Sequence, residues 1–372
     1  MKRNSRIPDF YKLSLEEQVK KVGEFAELNE DDLKLLKQFG HLSGTSYLKR
    51  RLGRKGENVI SIYPEVYRVV PNFRINGKDY MVPYVIEEDT VAAGASNIAR
   101  LCRYGKGILA KYTESIMIGH AILLDIENFK EAKKKIKENK EFLLQTAQRV
   151  SKHYEARDIN VYQKEEFLIA ELFVDTKDAM GARRITEMCE AIIPKLEEIT
   201  QGTSLMGIIS NFDVGRLVDV KLKVPKRSLG KEIVKRILKA YHLAEIIEKR
   251  AVTHNKGIMN GIMAVVRATG NDDRAVNESI YSYVYRNGIR PLSQWYENEE
   301  YLIGKSKIPM HVGTKGGATD HPLAQLSLKI MGITEASELA EVIASAGLVQ
   351  NLAALRSLVT EGIAEAHRRL GE

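Results

Sequence analysis

Thr253-His-Asn-Lys-Gly-Ile-Met-Asn-Gly261, followed by an apolar run and then by Ala268-Thr-Gly-Asn-Asp272, is the stretch from which the rest of the chain is read. It sets a lysine, two asparagines and a histidine around flexible glycines, and brings a carboxylate back after a run about long enough for one element. Asn-Lys-Gly and Thr-Gly-Asn-Asp are also good turn sequences. Two readings stand at this point: a pair of polar turns, or a cation and a carboxylate gathered for chemistry.

The chain around it has 372 residues, 44% hydrophobic and 28% charged, which suits a globular protein of two domains that needs no disulfide staples. Its two cysteines, Cys102 and Cys189, each fall in a helix-like pattern. Neither a disulfide framework nor a cysteine zinc site is expected, and the compartment is read as reducing and cytoplasmic. No apolar stretch reads as long enough for a bilayer span, and Met1-Lys-Arg-Asn-Ser-Arg6 leads into Pro8 and an amphipathic helix, so no membrane partner is expected. The net charge of +8 is not gathered on an aromatic platform or a recognition motif, so nucleic acid is not expected either.

Towards the N-terminus, Val19, Val22, Phe25, Leu28, Leu33 and Leu36 are spaced as two short amphipathic helices between Ser14 and about Phe39. Glu57-Asn-Val-Ile-Ser-Ile-Tyr63 and Tyr67-Arg-Val-Val-Pro-Asn-Phe73 read as strands, and Ile75-Asn-Gly-Lys78 as a hairpin turn into another strand. Alanine-rich Thr90 to Cys102 reads as a helix. The pair Glu87 and Glu88 therefore lies where a strand hands over to a helix.

From about Tyr112 to Phe212 the character changes. Strands at Ile116 to Asp125, Phe167 to Asp175 and Ser204 to Asn211 alternate with helices at Asn128 to Tyr154 and Gly181 to Ile199, a compact β-α-β-α-β reading. No G-x-G-x-x-G occurs, so a Rossmann fold is not expected. Beyond Val214 the pattern predicts a long helix near Lys231 to Ala251, the Asn-Lys-Gly segment, helices at Ala275 to Asn287 and Pro322 to Met331, and about forty helical residues at the end.

The opening stretch resembles the active-site region of 3-hydroxy-3-methylglutaryl-coenzyme A (HMG-CoA) reductases, in particular the soluble class II enzymes of bacteria and archaea. Ile75-Asn-Gly-Lys-Asp-Tyr-Met-Val-Pro-Tyr-Val-Ile-Glu-Glu88 with Ala92-Ala-Gly-Ala-Ser96 resembles that family's catalytic-glutamate segment. Asp178-Ala-Met-Gly-Ala182, Gly313-Thr-Lys-Gly-Gly-Ala-Thr319, and Gly347-Leu-Val-Gln-Asn351 with Thr360-Glu-Gly-Ile-Ala-Glu-Ala-His367 follow in the family's order. The resemblance implies an α+β fold: a large, mainly helical substrate-binding domain, residues 1–112 and 215–372, into which a small ferredoxin-like α/β sandwich, residues 113–214, is inserted for the dinucleotide.

It also implies roles. Lys256 is the cation that meets the oxyanion formed at each hydride addition. Glu88, rather than its neighbour Glu87, is the proton donor to the carbonyl. Asp272 hydrogen-bonds both, or simply caps the helix starting near Arg274. His367 protonates the departing coenzyme A thiolate, or is a surface histidine of the last helix. Arg250 pairs with the substrate carboxylate, its plain alternative being a helix C-terminal dipole contact. Asn260, Thr90 and Gln350 hold hydroxyl and carbonyl groups. Asp178, Met180 and Gly181 form a small-residue turn and helix N-terminus for the dinucleotide.

The reaction so implied reduces HMG-CoA to mevalonate and coenzyme A with NADPH or NADH and no metal, or runs in reverse, in a homodimer with active sites at the subunit boundary. Ser151, flanked by Arg149 and Lys152, stands where NADH-using relatives place an acidic residue, which favours NADPH. The basic cluster Lys49-Arg-Arg-Leu-Gly-Arg-Lys55 is a solvated patch or an attractor of polyanionic coenzyme A. Several features depart from the family: Arg183 follows Ala182 where asparagine is usual, Asp273 stands where tryptophan is frequent, Lys315 is unusual in its loop, and the chain stops at Glu372, without the further flap segment of class II relatives. They motivate a rival reading, a catalytically impaired paralogue that binds an acyl-coenzyme A or nucleotide in a regulatory or structural role.

Overall fold

The computed structural model describes residues 4–13, 15–38, 65–212, 215–365 and 368. The basic cluster at 49–55, the strand expected at 57–63 and His367 lie outside these residues.

Helices α1 (Leu15–Ala26) and α2 (Glu30–Gln38) form where the apolar spacing predicts them. Val22, Phe25 and Ala26 of α1 pack with Met81, Leu326 and Ile330. Strands β1 (Tyr67–Ile75) and β2 (Lys78–Val85) make the expected hairpin, Asn76 and Gly77 both at positive φ as a type I′ turn requires. Helix α3 (Asp89–Arg103) follows at once, then the short strand β3 (Ile108–Tyr112).

The next stretch runs β4 (Ile116–Leu124), α4 (Phe129–Glu138), α5 (Lys140–Gln148), β5 (Glu155–Lys164), β6 (Phe167–Asp175), α6 (Ala182–Thr200) and β7 (Thr203–Ile209). Its four strands pair antiparallel in the order β5-β6-β4-β7. With the chain order β-α-β-β-α-β this is the ferredoxin-like arrangement the resemblance implies, not a Rossmann sheet. The five-segment sequence reading falls one strand short. The helix expected to reach Tyr154 breaks at Asn139 and ends at Gln148, and β5, which the sequence reading lacks, begins at Glu155. Leu168, Ala170, Leu172 and Val174 of β6 alternate inward against Ile185, Met188, Ile192 and Leu196 of α6, which closes a separate core.

The chain returns through β8 (Leu217–Pro225), α7 (Lys226–Leu229), α8 (Lys231–Ile246), α9 (Glu248–Ala268), α10 (Asp273–Tyr285), β9 (Ser293–Glu297), β10 (Tyr301–Pro309), α11 (Pro322–Met331) and α12 (Ala336–Val359). A six-stranded sheet, β2-β1-β3-β8-β10-β9, lies under these helices, and its last four strands, β3, β8, β10 and β9, are absent from the sequence reading. The long helix expected from Lys231 to Ala251 is two, separated at the extended residue Ile247 (φ −124°, ψ 105°). Helix α12 corrects the expectation about apolar length: by composition it is long enough to cross a membrane. Most of it is buried, against α9, α3 and β8.

β3 and β8 pair antiparallel, Tyr112 opposite Val218, so the four-stranded layer leaves and rejoins the larger one at adjacent strands. Both cysteines are buried, and burial pushes each thiol up to about 12, which leaves them unreactive.

Candidate active site

The stretch Thr253–Gly261 is not a turn. It lies inside α9, where Ala251, His254, Asn255, Ile258, Ile262 and Val265 recur three and four residues apart as one buried stripe. Its glycines permit close approach rather than flexibility: a Cβ on Gly261 would stand 2.5 Å from the Ala346 carbonyl oxygen of α12. Asn255 is buried because it works as a clamp, accepting from Leu292 N (2.8 Å) and donating to the Arg290 carbonyl (2.9 Å) at the entry to β9. Lys256, one residue on, is exposed.

It faces a cavity of about 820 Å³ between three elements. The start of α3 contributes Glu88 and Thr90, α9 contributes Arg250, Lys256 and Asn260, and α12 contributes Gln350. Glu88 occupies the N-cap position of α3 and accepts a 2.6 Å hydrogen bond from the Thr90 hydroxyl. Exposed Glu87 does not line the cavity. With the Asn260 amide oriented so that its oxygen faces the ammonium, Lys256 Nζ donates to it at 3.3 Å and the amide nitrogen donates to the Lys256 carbonyl at 3.3 Å. Gln350 is 5% exposed and its Oε1 has no partner among the described residues. Arg250 lies in the first turn of α9 rather than at a helix end that would welcome a cation, so the dipole explanation for it fails.

Asp272 is not in this cavity. Its carboxylate caps α10, accepting from the N–H groups of Arg274 (3.1 Å) and Ala275 (3.2 Å), and pairs with the Arg274 side chain. Asn271, its neighbour, bonds back to the Val266 carbonyl, ten residues past Lys256. Ten residues of helix rise about 15 Å, more than a lysine and an aspartate can span together. The expected bond from Asp272 to Lys256 is therefore not made within one chain.

Asp272 instead belongs with the expected cofactor residues. Asn271 accepts from Gly313 N (2.8 Å), and Thr314 N donates to the Asp178 carbonyl (2.8 Å). The Asp178 carboxylate binds Ala336 N at the start of α12 (3.1 Å) and the Lys315 ammonium (3.0 Å), tying the two layers together. Arg216, fully buried, reaches the carbonyls of Ala179, Met180 and Val312 and the Tyr112 hydroxyl. Gly181, at φ 98°, precedes α6, whose first turn has no side-chain cap and no acidic residue. Ser151 sits between α5 and β5, its hydroxyl accepting from His153 N (3.2 Å), beside exposed Arg149 and Lys152. Burial raises the nearby Tyr154 phenol above its usual range, against the charges of Arg184 and Arg216. Glu155, at the start of β5, pairs with Asp175 at the end of β6, which puts the Ser151 segment at the same end of the small sheet as the start of α6.

The unusual charges are compensated where they stand. Arg183 pairs with Glu187 (2.7 Å) and Asp273 with Arg267 (3.1 Å). Among the described residues no group of three or more His, Cys, Asp and Glu side chains is placed to hold a metal ion. Sequence reasoning overlooked Arg216, for which a lone arginine in a loop gives no signal. It also left His254 and Asn351 unassigned, because polar residues inside a motif read as solvent-facing until burial is known.

A family model for hydroxymethylglutaryl-coenzyme A reductase matches residues 16–372. The 3-hydroxy-3-methylglutaryl-coenzyme A reductase of Archaeoglobus fulgidus is 42% identical, over 99% of this chain and 86% of its own length. The probable 3-hydroxy-3-methylglutaryl-coenzyme A reductase of Borreliella burgdorferi is 32% identical over 84% of this chain and 75% of its own. Among solved structures, the class II reductase of Streptococcus pneumoniae bound to NADPH in open conformations superposes with a TM-score of 0.87 at 36% identity, covering 95% of this chain and 99% of that one. Matches of this extent establish that the chain belongs to the hydroxymethylglutaryl-coenzyme A reductase family.

Proposed function

We propose that this chain reduces HMG-CoA to mevalonate and free coenzyme A in two hydride additions, with NADPH as reductant. The observation that carries the residue assignment is the convergence of Glu88, Thr90, Arg250, Lys256, Asn260 and Gln350 on one cavity of about 820 Å³. Arg250 holds the substrate's terminal carboxylate, and Thr90, Asn260 and Gln350 orient its oxygens. At each addition the carbonyl oxygen gains negative charge. The Lys256 ammonium stabilises that charge, and Glu88 gives the proton. Between the additions the hemithioacetal returns its hydroxyl proton to Glu88 as it loses coenzyme A thiolate, and His367 is the residue we assign to protonate that thiolate.

The cofactor supplies hydride from its nicotinamide. Its fit rests on this chain's donors: an uncapped helix N-terminus at Gly181–Arg183, free of acidic residues in the first turn, and Ser151 between two cations. Residues 113–214 are the unit we assign to it, with Met180 and Gly181 beside the nicotinamide end and Ser151 beside the adenosine ribose. Asp178 holds that turn in place through Ala336 and Lys315. We propose further that the protein is a homodimer in which a second copy brings its cofactor unit, and Asp272 with it, against this chain's Lys256 and Glu88. The separation of Asp272 from Lys256 along α9 supports that arrangement.

Two of the features that motivate the paralogue reading are compensated locally, Arg183 by Glu187 and Asp273 by Arg267. NADPH oxidation followed spectrophotometrically with the HMG thioester, wild type against Lys256→Ala, tests the assignment. Equal rates from both would end it.

A further inference from the structure

His254 stands two residues before Lys256, is 4% exposed and lines the same cavity. Its hydrogen bonds fix its tautomer by elimination. Trp295 Nε1, which can only donate, lies 2.7 Å from Asn351 Oδ1, and Asn351 Nδ2 donates to the His254 carbonyl (3.4 Å). The Asn351 amide is therefore oriented with its oxygen towards Trp295 and Ser293. Ser293 Oγ, 2.8 Å from that oxygen, must spend its one proton there. His254 Nε2 lies 2.7 Å from the same Ser293 Oγ, which is left able only to accept. Nε2 thus carries the ring hydrogen, and Nδ1 is a bare lone pair, buried and without a partner among the described residues.

Burial, and then the charge of Arg250, lower the His254 pKa to about 4, so the ring is neutral at physiological pH. Arg250 is one helical turn back on the same face of α9 and lines the same cavity. No hydrogen bond or ion pair engages its guanidinium among the described residues.

We propose that His254 is a positioning residue for Arg250: its Nδ1 accepts one guanidinium N–H when a ligand carboxylate takes the opposite edge of the fork. A guanidinium has five N–H groups in a rigid plane, so a fixed acceptor behind it sets the plane that a carboxylate meets in front. The inference rests on the reading of Arg250 as the carboxylate partner. It makes His254 a determinant of specificity for acyl thioesters that end in a carboxylate, while coenzyme A itself is held independently of it.

His254→Gln separates the two roles of the ring, since glutamine can still donate to Ser293 but has no acceptor where Nδ1 stands. We expect it to raise KM for the HMG thioester about tenfold, the worth of one oriented hydrogen bond, with kcat within about twofold and thermal stability near wild type. Affinity for coenzyme A should not change. In an Arg250→Ala background the same substitution should add nothing. The proposal is overturned if His254→Gln folds and leaves KM unchanged, if its loss is confined to kcat, or if it costs as much without Arg250 as with it. An unchanged KM in Arg250→Ala alone would sink the carboxylate reading and this proposal with it, whereas a raised one with a silent His254→Gln would sink only the proposal. Should the variant fail to fold, nitrogen-15 NMR of wild-type imidazoles at neutral pH decides. A protonated Nδ1, or an Nδ1 resonance that does not move on adding free 3-hydroxy-3-methylglutarate, overturns the assignment.

Discussion

Two damaged chains should make one working enzyme. Lys256 lines the cavity, while Asp272 sits past the far end of the same helix with the Gly313–Lys315 loop and the Asp178 turn. If a second copy brings its Asp272 to this chain's Lys256, lesions at the two positions fall on different sites only when the chains are mixed. Asp272→Asn is the substitution to use, because asparagine is as good an N-cap as aspartate and leaves α10 capped. Each variant alone should retain about 1% of wild-type turnover or less, the usual cost of removing a group that stabilises developing charge. Equal co-expression gives mixed dimers in about half of the population, each with one intact site and one doubly damaged site, so about one quarter of wild-type activity returns. NADPH oxidation by dimers purified through two different tags doubles the signal relative to the unsorted mixture. If tag-sorted mixed dimers are no more active than their parents, the two residues serve the same chain's site or none, and the shared-site arrangement is wrong.

Further outcomes follow from single positions. Lys256→Ala should lower kcat about 100 to 1,000-fold while binding of coenzyme A, measured by calorimetry, is retained. Ser151→Asp should move the ratio of kcat/KM for NADPH over NADH towards NADH by about tenfold or more, because a carboxylate repels a 2′-phosphate and accepts from a ribose hydroxyl. Gly261→Ala should destabilise the fold by about 1–3 kcal/mol in chemical denaturation, since the backbone carbonyl 2.5 Å from the new carbon cannot rotate away. His254, whose folded pKa of about 4 lies below that of the unfolded chain, binds its proton more readily when unfolded. Stability is therefore intact above about pH 6.5 and falls as the pH drops towards 4, by on the order of 3 kcal/mol from this ring alone. Urea titrations of wild type and His254→Gln across that window should differ in slope, and parallel curves would contradict the assignment.

Local chemistry made part of this fold legible and tertiary packing hid the rest. Asn76-Gly77 announces its hairpin because few other pairs accept positive φ twice. The alternation of Val218, Val220, Leu222 and Val224 with Asp219, Lys221 and Lys223 is an equally clear strand signal that the reading above passes over. Strand β5 is harder, with only Ile159 and Val161 of its ten residues buried. The opening stretch misleads for a physical reason: asparagine and glycine favour turns in isolation, but here asparagine clamps β9 and glycine admits α12. Of the site, the cavity residues were recoverable from motif order. Which cluster Asp272 joins was not, because sequence spacing does not say that a helix lies straight between two motif residues.

The pairing of β3 with β8 has a practical corollary. Because Tyr112 and Val218 face each other across that ladder, the chain enters and leaves the stretch from β4 to β7 through a doorway two strands wide, and the Asp178 bonds to Ala336, Lys315 and Thr314 are a second tie. If that unit takes the nucleotide as proposed, exchanging it as a block between related chains should carry nucleotide preference with it. Any graft must carry a compatible lintel: Arg216 at the threshold, together with the Ala179, Met180 and Val312 carbonyls it holds.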